Sequence, residues 1–237
     1  MKLRSLLIGL TVAAAGVVSA PAATASDTPT PFIVGGRPAT ENYTFMVYTG
    51  GCTGSLIKAN WALTAKHCST PSSVRVGSND RTKGGTVVKV TRGVSHPTED
   101  VKLLQLADSV THQPIAIPVQ SGPPGTATRL LGWGVTCPTR GCGSAPVANH
   151  EFDTSILADS KCRGIRSATE ICTNNPNKGG DCYGDSGGPQ ITKVNGVWRQ
   201  IGSDSRGTTS ACGAGPSIYV DLTSVRTWIS QQVGTLP

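Results

Sequence analysis

The stretch of the chain richest in reactive side chains is residues 179–189, GGDCYGDSGGP, which sets Ser186 directly after Asp185 among five glycines. A serine hydroxyl becomes a nucleophile when a base removes its proton, and its attack creates an oxyanion that needs N–H donors already in place. Glycines on both sides let the main chain bend so that such donors converge. The stretch predicts Ser186 as a nucleophile, with a β-turn that carries no chemistry as the alternative.

A base for this serine should be a histidine, and the chain has four of them: His67, His96, His112 and His150. His67 ends the apolar stretch 61–65 and precedes Cys68, so a disulfide could hold its ring in place. The other three lie in polar sequence typical of loops. His67 is therefore the predicted base, although a lone histidine is commonly a surface or core residue without a catalytic role.

The third member of such a system is an acid that accepts the proton of the second ring nitrogen of the histidine and fixes its tautomer. Asp100 stands directly before the apolar stretch 101–106, where a carboxylate could enter the interior from a loop. Glu99 and Asp108 are the alternatives without a catalytic role.

The elements that must position these residues are predicted to be short strands. Aromatic residues make up 5% of the chain, whereas 29 glycines and 16 prolines favour a turn-rich β fold over a helical bundle. Strands are predicted at 44–48, 54–64, 73–76, 86–90, 102–106, 128–131, 198–201 and 216–220. One helix is predicted at 223–232, where Val225, Trp228 and Ile229 follow helical spacing before Gly234. This pattern indicates a sandwich or closed barrels.

The first 25 residues resemble an export signal, with Lys2 and Arg4, an apolar run over 6–18 and an A-x-A cleavage site at 23–25. The apolar run is too short and too rich in small residues for a membrane anchor, the alternative interpretation. We therefore expect a signal peptide at 1–25, a propeptide at 26–32 and one domain at 33–237. The protein is expected to be secreted and extracellular, without a membrane partner.

The eight cysteines predict four disulfides, because thiols oxidise outside the cell, although eight cysteines allow 105 pairings. A structural zinc site is disfavoured by the lack of a C-x-x-C pair, so no metal and no cofactor are expected. The formal net charge of +7 is spread along the chain without a basic run, which argues against a nucleic-acid partner.

Five ordered motifs together resemble those of the trypsin-like (chymotrypsin-family) serine proteases. They are Ile-Val-Gly-Gly at 33–36, Leu-Thr-Ala-Lys-His-Cys at 63–68, Asp-Val-Lys-Leu-Leu-Gln-Leu at 100–106, Gly-Trp-Gly at 132–134 and Gly-Asp-Ser-Gly-Gly-Pro at 184–189. The resemblance covers residues 33–237. It implies an all-β fold of two perpendicular six-stranded antiparallel β-barrels with the active site between them, and a C-terminal helix.

The resemblance also implies residue roles: His67 as general base, Asp100 as its orienting partner, Ser186 as nucleophile, and the backbone N–H groups of Gly184 and Ser186 as the oxyanion hole. Lys66 stands where the family usually has alanine, and its cation could lower the pKa of His67 or simply reach solvent. The implied partners are protein or peptide substrates and protein protease inhibitors, and the implied state is a monomer.

In this family, cleavage before Ile-Val-Gly-Gly frees an α-ammonium that pairs with the aspartate before the nucleophile. Here those residues are Ile33 and Asp185. The residue before the cut is Phe32, not the Arg or Lys common in animal zymogens. Self-activation by a protease that cuts after basic residues is therefore not expected.

The same resemblance implies the disulfide pairing. It pairs Cys52 with Cys68, Cys162 with Cys172, and Cys182 with Cys212, which leaves Cys137 with Cys142. The first of these pairs would brace the histidine, and the third would join two walls of the specificity pocket. A structural calcium site known in family members is not expected, because residues 75–83 offer only one carboxylate.

The pocket-base position of trypsin corresponds to Gly180 here, and Asp181 follows one residue later. A buried carboxylate favours a cation, so cleavage after Arg or Lys is expected. Ser205 and Gly207 would bind the substrate main chain, and Ser217 would narrow the pocket base. Arg206 replaces a flat aromatic residue, and it could pair with Asp204 or with Asp181.

If Arg206 neutralises Asp181, the same chemistry would favour uncharged or small residues. A catalytically inactive binding protein on the same scaffold is the alternative class, although all three catalytic side chains are present. A secreted esterase would use related acyl chemistry, but it expects G-x-S-x-G at a strand-to-helix turn, which residues 184–188 lack.

Overall fold

The computed structural model describes residues 33–237, and the expected signal peptide and propeptide lie outside this range. The strands are β1 Arg37–Pro38, β2 Met46–Tyr48, β3 Thr53–Lys58, β4 Trp61–Thr64, β5 Ser73–Val76, β6 Thr86–Ser95, β7 Lys102–Leu106, β8 Ala127–Gly132, β9 His150–Ser155, β10 Glu170–Thr173, β11 Pro189–Val194, β12 Val197–Gly207 and β13 Ser217–Asp221. Short 3₁₀ turns at Asp159–Lys161 and Pro176–Lys178 and a helix α1 at Arg226–Val233 complete the described elements.

The N-terminal half is a closed barrel with the strand order β2-β3-β4-β7-β6-β5. Its paired strands are antiparallel, and their inward side chains are apolar; Val47, Leu56 and Leu104, for example, are fully buried. Closure of the barrel removes free strand edges, which a sheet of such short strands would otherwise expose.

The C-terminal half is a sheet with the order β1-β9-β8-β11-β12-β13-β10. Strands β9 and β10, from opposite sides of this sheet, also contact each other. Ile156 just after β9 forms a bridge with Thr173 of β10, and the Leu157 N–H donates to Cys172 O at 2.7 Å. Six strands thus curl into a second barrel-like unit, and the two-residue β1 adds a seventh at its edge. The all-β architecture expected from the sequence is confirmed, with this extra strand as the difference.

Two predicted strands have the same bounds as observed ones, at 73–76 and 102–106, where β-branched and apolar residues are flanked by turn residues. The predicted strand 54–64 is instead a hairpin, because Ala59 and Asn60 form the turn between β3 and β4. Strands β9, β10 and β11 were not expected from the sequence.

The polar sequence of β9, His-Glu-Phe-Asp-Thr-Ser, explains why it does not resemble a strand. Glu151 is fully buried but accepts hydrogen bonds from the Thr40 N–H and the Tyr43 hydroxyl, and it pairs with Arg37 at 2.8 Å. A buried carboxylate is tolerated when it is paired and hydrogen-bonded in this way. Long-range partners, not local periodicity, therefore determine this strand.

The helix α1 begins three residues later than predicted, after Val225 at its N-cap, and ends before Gly234, whose φ is 77°. Ile229 and Val233 are buried against Ile57 and Leu103 of the first barrel, so the helix packs back onto the N-terminal half. Among residues 33–237, no helix is long and apolar enough to cross a membrane.

Candidate active site

The loop that carries Ser186 is held between the two halves of the molecule. The Thr53 N–H, from the first barrel, donates to Ser186 O at 3.0 Å, and Gly187 N–H donates to Asp204 O at 2.9 Å. Gly187 has a φ of 80°, and a Cβ there would lie 2.3 Å from Thr64 Oγ1. Only glycine fits at this position. The glycine therefore allows the close backbone contacts that hold Ser186 in place.

The backbone N–H groups of Gly184 and Ser186 have no acceptor among the described residues. Within residues 33–237, neither Gly184 N–H nor Ser186 N–H donates a hydrogen bond to a protein atom. Gly184 has a φ of 106° and accepts from Thr53 Oγ1 at 2.9 Å through its carbonyl oxygen. The loop conformation thus leaves these two donors available.

His67 and Asp100 are brought together by strand pairing. His67 follows β4 and Asp100 precedes β7, and these strands pair with Thr64 opposite Lys102. His67 Nδ1 lies 2.8 Å from Asp100 Oδ2, and the His67 backbone N–H donates to Asp100 Oδ1 at 3.0 Å. The Ser205 hydroxyl donates to Asp100 Oδ2 at 2.8 Å. Three hydrogen bonds therefore orient the carboxylate.

The hydrogen bond that His67 donates to Asp100 raises the pKa of His67, and burial and the nearby cation of Lys102 oppose this shift. Lys102 is buried, and its ammonium donates to Cys68 O. Lys66, where the sequence left two interpretations, donates to Pro97 O at 2.9 Å from an exposed position. Lys102, not Lys66, is thus the cation that opposes protonation of His67.

The other three histidines and Glu99 make different contacts and take no part in the His67–Asp100 pair. His96 packs against Trp228 with the ring centroids 4.7 Å apart, and His112 Nε2 lies 3.1 Å from Thr86 Oγ1. Burial lowers the pKa of His150 to about 4. Glu99 pairs with Arg166 at 2.7 Å.

A cleft of about 300 Å³ opens beside Ser186 and His67, both of which line it. Asp181, Asp204 and Ser217 line its interior, and all three are buried. Its rim includes Ser205, Arg206, Gly207, Tyr183 and Arg140.

Gly180, which the sequence also places at the substrate pocket, is not among the residues that line this cleft. Its backbone has a φ of 150°, and a Cβ at this position would lie 2.6 Å from the side chain of Asn175. Asn175 therefore takes the place that Gly180 leaves, and Asn175, not Gly180, lines the cleft.

Arg206 pairs with neither Asp181 nor Asp204. Its guanidinium binds Glu170 of β10 with contacts of 2.7 and 2.9 Å, and it also donates to Gly164 O. Glu170 in turn binds Arg166, which pairs with Glu99. The cation at the rim is thus neutralised outside the pocket.

Asp185 is buried and is not among the residues that line the cleft. It accepts from Gly134 N–H at 2.7 Å and from Cys182 N–H at 2.9 Å, but burial still raises its pKa to about 7. Ile33 is 1% exposed, and the next residue, Val34, forms a bridge with Gly180. The start of the described chain is therefore buried beside the loop that leads to Asp185.

Four disulfides are present, and they are the pairs that the resemblance implies: Cys52–Cys68, Cys137–Cys142, Cys162–Cys172 and Cys182–Cys212. Within residues 33–237, the one group with metal-ligand spacing is Cys52, His67 and Cys68. Both cysteines of that group are oxidised, so it offers no thiolate to a metal.

Three residues of the site were missed from the sequence: Asp204, Asn175 and Lys102. The sequence presents Asp204 only as a possible partner for Arg206, although the alternation in 203–205 places its side chain on the opposite face from its neighbours. Asn175 lies in a loop distant in sequence, so no local signal identifies it. Lys102 could have been found, since it follows Asp100 by two residues.

Comparison with known proteins agrees with this geometry. The family model described as Trypsin matches residues 33–229. A protein named "Trypsin-like protease" from Streptomyces glaucescens is 28% identical over 225 residues, which cover 86% of this chain and 83% of the relative. The matched region contains all the residues that line the cleft, the closed barrel and the seven-stranded sheet. The chain belongs to the trypsin family and is a serine-type endopeptidase.

Proposed function

We propose that the protein is a secreted endopeptidase that hydrolyses peptide bonds after Arg or Lys, with His67, Asp100 and Ser186 as its catalytic triad. The observation that carries the specificity is the cleft beside Ser186, which holds two buried carboxylates, Asp181 and Asp204. A buried carboxylate without a cation is costly, and a basic substrate side chain supplies that cation.

In the proposed acylation step, His67 Nε2 takes the proton of the Ser186 hydroxyl as its oxygen attacks the substrate carbonyl. The contact between His67 Nδ1 and Asp100 supports this assignment, because a carboxylate partner fixes the proton on Nδ1 and leaves Nε2 as acceptor. His67 then gives the proton to the leaving amine. In the second half of the reaction, water attacks the acyl-enzyme, His67 takes the proton of this water, and His67 then returns a proton to Ser186.

The oxyanion hole is proposed to be the N–H groups of Gly184 and Ser186. Both lack an acceptor within the described residues, as donors reserved for a developing oxyanion should. Their backbone positions are fixed by the contacts of Thr53 with Gly184 O and Ser186 O.

The substrate main chain is proposed to lie along β12 at Ser205 and Gly207. Gly207 is exposed and lines the cleft, so an extended peptide can approach its backbone. Ser217 and Asn175 would narrow the pocket, with the Asn175 amide held by Gly215 O and Ser217 Oγ. The contact of Arg206 with Glu170 supports the preference for basic over uncharged residues, because Arg206 does not pair with Asp181.

Activation is proposed to occur by a cut between Phe32 and Ile33, with the new ammonium pairing with Asp185. Ile33 has a φ of 42°, which a β-branched residue rarely adopts, and release of its peptide bond would relieve this strain. We further propose a signal peptide at 1–25, a propeptide at 26–32, secretion as a monomer, and inhibition by proteins that fill the cleft. The four disulfides support an extracellular location.

The test is a panel of peptide p-nitroanilides that differ only in the residue before the cut: Arg, Lys, citrulline, Phe and Ala. We expect kcat/KM to be highest for Arg and Lys. A preference for Phe or Ala would contradict the proposed specificity but not the proposed chemistry. Mass spectrometry of the secreted protein tests the processing, with Ile33 expected as the first residue of active enzyme.

A further inference from the structure

Two carboxylates from different elements meet in the specificity cleft. Asp181 comes from the loop before Ser186, and Asp204 comes from β12. Both side chains line the same cleft, and they lie close enough for each carboxyl group to shift the pKa of the other. Each has one buried oxygen, Oδ1, with no hydrogen-bond partner. Buried carboxylate oxygens without donors are rare, and their presence in a cleft indicates a site for a ligand that brings donors.

The groups facing this pair do not neutralise it. Ser217 and Tyr219 of β13 lower the pKa of Asp181 but carry no charge, while the carboxylates of Asp185 and Asp100 add further negative charge near Asp204. Burial raises the pKa of the phenol of Tyr219 well above its usual value, so this residue stays neutral.

The two permanent cations that line the cleft are engaged elsewhere. Arg140 stacks on Tyr183 with its guanidinium carbon 4.6 Å from the ring centroid, and Arg206 binds Glu170. Within residues 33–237, neither arginine of the cleft therefore pairs with Asp181 or Asp204.

Two adjacent carboxylates in a site of low dielectric constant cannot both remain ionised without a cation, and such pairs share a proton. Burial raises the pKa of Asp181, and burial together with the charge of Asp181 raises the pKa of Asp204. The empty pocket is thus expected to hold one proton between two carboxylates.

We propose that Asp181 and Asp204 form a proton-sharing acid pair that reads the basic side chain of the substrate, and that binding of this side chain expels the shared proton. The O–H bond of the protonated carboxyl breaks, the proton goes to solvent, and the substrate cation stays charged between two carboxylates. Asp204 is then a specificity-determining residue beside Asp181. This inference rests on the proposed preference for Arg and Lys, and it adds that this preference strengthens as pH rises.

The guanidinium of Arg matches the free acceptor oxygens of the cleft better than the compact ammonium of Lys does. Among the residues that line the cleft, three buried oxygens lack donors: Oδ1 of Asp181, Oδ1 of Asp204 and Oδ1 of Asn175. Asn175 uses its amide nitrogen for Gly215 O and Ser217 Oγ, which fixes its oxygen as the free group. Guanidinium offers five N–H donors in a planar fork, so it can satisfy several acceptors at once. We expect Arg to be preferred over Lys.

The direct test is calorimetry of benzamidine binding to the mature Ser186→Ala enzyme, in buffers of different ionisation enthalpy between about pH 6 and 9. The expected result is an apparent enthalpy that depends on the buffer, with a maximum of about one proton released per benzamidine. In Ser186→Ala/Asp204→Asn the release should fall close to zero. Benzamidine binding without buffer dependence across this range would overturn the proposal.

Kinetics supply a second readout with matched substrates. The ratio of kcat/KM for Arg over citrulline should rise with pH, because citrulline is neutral and nearly isosteric, and His67 affects both substrates alike. Asp204→Asn and Asp204→Val should lower this ratio by about tenfold or more at high pH and much less at low pH. Both variants should fold, since each removes a buried carboxylate. Asp108→Asn, which removes an exposed carboxylate, is the charge-matched control.

The outcomes separate the two hypotheses. If citrulline or another neutral residue is cleaved better than Arg in the unaltered enzyme, the proposed specificity fails. If Arg is preferred but the ratio is independent of pH and unchanged in Asp204→Asn, the proton-sharing pair alone is refuted.

Discussion

At the scale of single residues, the site depends on how Asp100 holds His67. The carboxylate accepts from the ring and the backbone of His67 and from Ser205, so its position is fixed from two sides. The first of these bonds raises the pKa of His67. The ring must lose its proton to act as a base, so activity should increase as pH rises through this pKa, which lies above the ordinary 6.5.

Replacement of Asp100 by Asn should reduce kcat by about 10⁴-fold, because the amide cannot stabilise the imidazolium and favours the wrong tautomer. The ascending limb of kcat/KM should also move to lower pH, since the group that raises the pKa of His67 is gone. A pH series with an Arg p-nitroanilide measures both effects. Asp108→Asn serves as the control, and a limb that stays in place would contradict the role given to Asp100.

The residues of the proposed triad could be predicted from the sequence because each stands in a motif with a local signal. His67 ends an apolar stretch, Asp100 begins one, and Ser186 lies among glycines. Asp204 could not be assigned in this way, because its importance comes from its contact with Asp181, which lies 23 residues away in the chain. The direction of Arg206 likewise depends on Glu170, a residue of a strand not expected from the sequence.

At the scale of elements, strand pairing across the sheets brings distant motifs together. Strands β4 and β7 bring His67 beside Asp100, and β12 brings Ser205 to the same carboxylate. Short runs of β-branched and apolar residues between turn residues made β5 and β7 predictable. Strand β9 depends instead on buried ion pairs with distant residues, so no local pattern in the sequence predicts it.

The disulfides stabilise loops of very different size. Cys137–Cys142 closes a loop with a sequence separation of 5, whereas Cys182–Cys212 spans 30 residues and joins two parts of the cleft wall. In the chain-entropy model, a longer closed loop restricts the unfolded chain more strongly.

Removal of Cys182–Cys212 by two serine substitutions should therefore lower the free energy of unfolding by about 1.5 kcal/mol more than removal of Cys137–Cys142 does. Urea unfolding of both variants in the Ser186→Ala background provides the comparison without self-digestion. The first variant should also lose benzamidine affinity, since a cleft wall is released. Equal losses of stability and affinity in the two variants would argue against this interpretation.

At the scale of the whole molecule, the buried start of the domain is coupled to Asp185. This carboxylate has a pKa of about 7 in the chain described here, above its unfolded value of 3.8, so ionisation opposes folding. A raised carboxyl pKa means that stability is lost as pH rises from about 4 to 7 and then stays low. The ammonium of a chain cut before Ile33 would remove this cost.

We therefore expect the cut form to be more stable than the uncut form above pH 7, by an amount on the order of 4 kcal/mol, and the difference to shrink as pH falls. Ser186→Ala protein with an enteropeptidase site in place of residues 28–32 gives both forms from one preparation. Thermal and urea unfolding between about pH 4 and 8 measures the difference. Asp185→Asn should make the stability difference between the cut and uncut forms independent of pH. A difference that is already constant with pH in the Asp185 protein would contradict the coupling between Asp185 and the start of the domain.

The central claim is that these distant groups converge to make Ser186 a nucleophile. Mature protein treated with a peptidyl diphenyl phosphonate bearing an arginine-like group, followed by peptide mass spectrometry, tests it most directly. We expect one adduct, on Ser186, which disappears in Ser186→Ala, is formed far more slowly in His67→Ala, and is blocked by benzamidine. An unmodified Ser186 in correctly processed protein, or an adduct on another serine, would contradict the account.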